Sequence, residues 1–157
     1  MATLIPFNPS NLFPFQFQPV LDGETYSATV LYNNYSQRYF LSISTFSNVL
    51  QLYTPLTASP DVVLQGAICT ANTDQIVLTN RNGNIYPGQL ITGSTIAANT
   101  YVKTLYGSLV VMNQNAISST ASGQATTLAF TYSINLTKGY FTTPIVYRAS
   151  SGNIEIG

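Results

Sequence analysis

The side chains best suited to proton transfer in this sequence are five carboxylates, Asp22, Glu24, Asp61, Asp74 and Glu155, because histidine is absent from all 157 residues. That absence removes the commonest general base and the commonest metal ligand together. Carboxylates can work in pairs, as in glycoside hydrolysis, but only Asp22 and Glu24 are close in sequence. Asp22-Gly23 reads more simply as a tight turn. Asp61, Asp74 and Glu155 are isolated, so a dyad among them would depend on long-range folding. The single cysteine, Cys69, has no partner for a disulfide, and its setting in Ala67-Ile68-Cys69 predicts a small buried side chain. Glycine-rich phosphate loops, Cys/His metal spacings and calcium-loop patterns are all missing. These residues predict no catalytic, cofactor-binding or metal-binding set and a protein that is not an enzyme. A carboxylate hydrolase is the alternative they leave.

Tyrosine is the other chemistry-bearing residue, with eleven copies. It combines an apolar face with a polar tip, which suits protein interfaces and sugar stacking alike. Tyr32, Asn33, Asn34 and Tyr35 form the richest local cluster. Its ordinary reading is strand and turn chemistry; its functional reading is an interface or sugar-binding patch at Tyr32 and Tyr35.

Charged residues make up 6% of the chain and sum to zero net charge, against about 25% in typical soluble domains. Such a neutral surface lacks the mixed charge that keeps monomers dispersed and predicts a chain that lives against partners. Arg38, Arg81, Lys103, Lys138 and Arg148 are scattered, so no electrostatic footprint for nucleic acid exists. Residues 1–20 lack a basic segment followed by an apolar one, and runs such as Leu109-Val110-Val111-Met112 are far too short to span a membrane. With no export signal expected, the sequons at Asn34 and Asn135 carry little weight.

The elements that must position these residues are strands. Phe15-Gln16-Phe17-Gln18 alternates, Asp22-Gly23 turns, and Tyr26, Ala28, Val30 and Tyr32 share one face of the next strand, so 15–21 and 24–33 read as a hairpin. From 38 to 46 the chain alternates again, with Tyr39, Leu41 and Ile43 opposite Phe40, Ser42 and Ser44. Residues 49–53 continue the meander until Pro55 ends it. One helical turn is predicted from Ser59 to Leu64, with Ser59 as cap and Pro60 at the first position.

Near Gly66 the aromatic strands give way to a Thr-, Asn-, Gly-, Ala- and Ser-rich stretch. It offers strands at 75–79, 89–93, 101–105, 108–113 and 126–132, with turns at Asn82-Gly83, Pro87-Gly88 and Gly107. The first style returns in 139–148, followed by a turn at 150–153 and a short last strand, Ile154-Glu155-Ile156. The predicted fold is all-β: a small antiparallel β-barrel or sandwich made of residues 1–66 and 131–157, interrupted by an inserted β module at 67–130.

The outer segments resemble a known family. Ile5-Pro6-Phe7, Phe15-Gln16-Phe17, Leu21-Asp22-Gly23-Glu24-Thr25-Tyr26, Val30-Leu31-Tyr32-Asn33-Asn34 and Arg38-Tyr39-Phe40-Leu41-Ser42-Ile43 follow the order seen in the small baseplate plug proteins of contractile-tailed phages, best known from cyanophages. Pro55-Leu56, Ile145-Val146-Tyr147-Arg148 and Gly152-Asn153-Ile154-Glu155-Ile156 extend the likeness, which covers about residues 5–66 and 134–157. The chain departs from the pattern in having no tryptophan, with Tyr39 or Phe40 in its place, and in its long middle insertion. Within that insertion, Asp74-Gln75-Ile76-Val77-Leu78, Ile85-Tyr86-Pro87-Gly88-Gln89, Ile91-Thr92-Gly93 and residues 96–102 resemble a β repeat of phage tail and other virion proteins.

The resemblance implies a structural virion protein made in the host cytoplasm and placed at the centre of the tail baseplate. It implies contacts with other phage tail proteins (hub, tube, spike or wedge), with multiple copies around the tail axis and neither nucleic acid nor membrane as partner. No cofactor is expected. A host-recognition or carbohydrate-binding module of a tail is the alternative. The expected grip is the last strand, Ile154, Glu155 and Ile156, offered as a sheet edge for neighbouring chains.

Overall fold

A computed structural model describes residues 2–81 and 84–157. Among them no helix occurs and strands make up 46%, so the fold is all-β. In chain order the strands are β1 (Thr3–Pro6), β2 (Phe15–Phe17), β3 (Val20–Leu21), β4 (Glu24–Thr25), β5 (Ser27–Asn33), β6 (Arg38–Ser44) and β7 (Leu50–Pro55). There follow β8 (Val63–Cys69), β9 (Gln75–Leu78), β10 (Leu90–Thr92), β11 (Thr100–Tyr106), β12 (Leu109–Met112) and β13 (Thr126–Thr131), then β14 (Ile145–Arg148) and β15 (Asn153–Ile156). The chain divides into two compact units, Met1–Ser59 with Ser133–Gly157, and Pro60–Tyr132.

In the first unit, β2-β5-β6-β7 form a four-stranded antiparallel sheet and β1-β15-β14 a three-stranded one, beside the two-stranded ribbon β3-β4. The period of two read from the sequence decides which side chains go inward. Ala28 and Val30 of β5 pair across to Ile43 and Leu41 of β6, and all four are buried. Their core is completed from the other sheet by Ile145, Ile154 and Ile156, with Phe7, Leu21, Leu52 and Leu136. Phe7 ties the aromatic layer together, its ring edge-on to Phe15, Tyr39 and Tyr147 at 5.0, 6.0 and 5.6 Å. The β3-β4 ribbon turns through Asp22 and Gly23 at φ 52° and 88°, the left-handed pair that a two-residue hairpin requires.

The second unit is a closed barrel, β10-β11-β12-β9-β8-β13, with every neighbouring pair antiparallel. Closure leaves no sheet edge and lets a short Thr-rich sequence bury a continuous core. Ile76, Leu78, Ile91, Val102, Val110, Met112, Leu128 and Phe130 fill it, while the residues between them, among them Val77, Tyr101, Lys103, Val111, Thr127 and Ala129, are partly or fully exposed. Cys69 is free and buried, and the Thr95 hydroxyl donates to its Sγ at 3.2 Å.

Three expectations need correction. The helical turn at 59–64 is absent: Ser59 Oγ accepts the Ile134 N–H at 2.8 Å instead of capping, its own N–H donates to the Tyr147 carbonyl, and the chain enters β8 at Val63. The unit boundaries lie at Pro60 and Tyr132 rather than 66/67 and 130/131, because Gln65 and Gly66 pair with Leu128 and Thr127 inside the barrel wall. A cut at 66 would split β8. The last strand is not an edge. β15 is the middle strand of its sheet, with β1 on one side and β14 on the other. The predicted turn at Asn82-Gly83 lies outside the described residues.

Candidate functional site

Of the residues expected at an interface, the structure commits two to the core of the first unit and ties a third, partly exposed, into an ion pair. Ile154 and Ile156 are core residues. Glu155 sits beside Arg148, whose Nε donates to Glu155 Oε1 at 3.0 Å while its Nη2 donates to Ser133 Oγ at 2.7 Å. Arg148 is only 7% exposed, so the pair serves chiefly to keep a buried cation satisfied. Tyr32 stands half-buried and edge-on to Tyr39 at 5.1 Å. Tyr35 is fully exposed at the tip of the β5–β6 turn, where Asn33 Oδ1 accepts the Tyr35 and Ser36 N–H groups. Turn chemistry therefore accounts for Asn33, and the two tyrosines do not form a shared platform.

The carboxylates are likewise placed. Asp22 accepts hydrogen bonds from the N–H and hydroxyl groups of both Thr142 and Thr143. The Thr142 hydroxyl, the Thr142 N–H and the Thr143 N–H, in that order, hold its carboxyl far below the ordinary carboxylate range. Such a group is a poor proton acceptor at neutral pH; it is a clamp between the β3-β4 turn and the loop before β14. Glu24 accepts from the Tyr26 hydroxyl at 3.2 Å. Burial first, and then that hydrogen bond, raise the Tyr26 phenol above its usual value. Among the described residues no three His, Cys, Asp or Glu side chains gather closely enough to hold a metal.

The surface that the sequence did not single out is the outer face of the four-stranded sheet. Register across the strands places Leu31, Phe40 and Pro55 in one row, and Thr29, Ser42 and Tyr53 in the next. Phe40 and Tyr53 lie flat on each other, centroids 4.9 Å apart and planes within 7°. Leu50, opposite Ser44, extends the patch. Leu31, Leu50 and Tyr53 are 49%, 58% and 56% exposed. Arg38, in the row beyond Leu31 and Phe40, is the one charged residue of these strands on this face. The patch runs to β7, whose second edge pairs with no strand among the described residues. The signal for it was the alternation of Phe40 with Tyr39, but its extent depends on cross-strand register.

Compared with known proteins, the chain matches no family model, no curated protein and no solved structure.

Proposed function

We propose that the chain is a structural subunit of a contractile phage tail baseplate, a plug or hub-associated protein that joins tube, hub and spike through protein interfaces and does no catalysis. The observation that carries this reading is the sheet face at Leu31, Phe40, Leu50, Tyr53 and Pro55, apolar and bordered by the unpaired edge of β7. A solvated monomer normally blunts such an edge with lysine, interior proline or a covering loop. Here β7 reads Leu50-Gln51-Leu52-Tyr53-Thr54-Pro55 and has a proline only at its end. Burying this face desolvates almost no charge, so association is driven by apolar contact and by main-chain pairing at the edge. The family resemblance of residues 5–66 and 134–157 supplies the assembly.

The test is to locate the protein in purified particles by electron microscopy and to measure its association state alone by light scattering. Density for the chain at the baseplate centre, with this face against a neighbour, is the expected result. A lone soluble monomer that turns over a small molecule would overturn the proposal.

A further inference from the structure

A cleft of about 320 Å³ opens on the barrel unit, lined by Pro60, Asp61, Val63, Asn84, Tyr86 and Gln89. Its loop is braced from within by a buried side chain. Gln89, 1% exposed, accepts the Tyr86 N–H through Oε1 at 3.0 Å and donates from Nε2 to the Asn84 carbonyl at 3.1 Å. Pro87 and Gly88 form the turn between them, with Gly88 at φ 93°, a conformation glycine adopts without strain. The Tyr86 ring rests against Tyr132 at 5.8 Å between centroids. Asp61 and Asn84, in contrast, are exposed, and their side-chain polar groups have no hydrogen-bond partner among the described residues.

Among the described residues, the lining therefore combines the Tyr86 ring, the apolar side chains of Pro60 and Val63, the exposed Asp61 carboxylate, the exposed Asn84 amide and the already bonded Gln89 amide, with no cation. An anion would meet the Asp61 charge uncompensated, and a metal ion would find a single carboxylate. A wholly apolar ligand would desolvate Asp61 and Asn84 without replacing their water. The lining suits a neutral molecule with a C–H face on one side and adjacent hydroxyls on the other. We propose that this cleft binds a neutral saccharide, its pyranose ring against Tyr86, with neighbouring hydroxyls donating to the Asp61 carboxylate and exchanging hydrogen bonds with the Asn84 amide. The volume is at the lower end of the roughly 300–1,000 Å³ of small-molecule sites, which suits one or two sugar rings. The inference uses the barrel unit alone and does not rest on the interface reading of the other unit.

The test is a titration of the full chain with neutral hexoses and their disaccharides, followed by amide NMR. At least one sugar is expected to shift the Asn84 side-chain and Gln89 signals in a saturable way at millimolar concentration. Asp61→Ala and Asn84→Ala are each expected to weaken that binding about tenfold while leaving the remaining barrel signals in place. Tyr86→Phe, which keeps the ring, is expected to retain it. The proposal is overturned if no sugar shifts these signals, if the shifts map elsewhere, or if affinity is indifferent to both Asp61→Ala and Asn84→Ala.

Discussion

Asp22 and Thr143 hold each other reciprocally: the Asp22 N–H donates to Thr143 Oγ1 at 2.9 Å, while the Thr143 N–H donates to Asp22 Oδ1 at 2.8 Å. With Thr142 adding its own N–H and hydroxyl, a turn near the start of the chain is fastened to a loop some 120 residues later.

This clamp gives the first unit an acid-dependent component of stability. The folded carboxyl titrates below its ordinary value of 3.8, so the contribution is fully present above that pH and is lost as pH falls through the lowered folded value. The expected outcome is a wild-type unfolding midpoint that drops between about pH 4 and pH 2, with a shallower drop in Asp22→Asn. Thermal melts across that range measure it; identical pH profiles for the two chains would show the clamp to be idle.

Truncation at residue 149 removes β15, and with it the strand that joins β1 to β14. Loss of cooperative unfolding in the first unit is expected, rather than a folded chain that merely fails to assemble. Ile154→Ala is the milder form, with an expected cost of about 2–5 kcal/mol by denaturant titration. A cost below about 1 kcal/mol would mean that the central strand is not needed.

Gly93 has no room for a side chain, because an added Cβ would overlap Leu128 Cδ2, and Leu128 is fully buried in the barrel core. Gly93→Ala is expected to destabilise the barrel by about 1–3 kcal/mol through forced repacking. Gly107, at φ 60° with nothing near its Cβ position, provides the contrast: Gly107→Asn keeps a residue that tolerates the left-handed region and is expected to cost less than about 1 kcal/mol.

On the outer sheet face, Tyr53→Lys puts a charge beside the open edge of β7. Loss of the stack on Phe40 is expected to cost about 0.5–1.5 kcal/mol of stability, leaving the fold intact. Association or incorporation into particles is expected to fall sharply. Normal incorporation with normal stability would remove this face from the assembly.

Much of the fold was legible because local rules govern it. Alternation at 24–33 and 38–46 grouped Ala28 with Val30 and Leu41 with Ile43, all of which face the core, and Asp22-Gly23 and Gly107 marked the β3–β4 and β11–β12 turns. Ser59 shows where such rules fail. Its type and the following proline are a proper helix start, yet its hydroxyl goes to Ile134 N–H, a partner 75 residues away that no local pattern announces. The residues of the saccharide cleft were equally hidden. Asp61 and Asn84 are isolated in sequence and share a lining only through the path of the chain into β8 and the loop that Gln89 holds.

The sequence by itself determined the strand-rich character, the sparse charge and the turn positions, since these follow from side-chain type and a two-residue period. Only the tertiary structure decided that β15 is central, that β7 is open, and which face of its sheet remains apolar. Those properties belong to strand order, and strand order is set by contacts between residues far apart in the chain, where each pairing depends on every other.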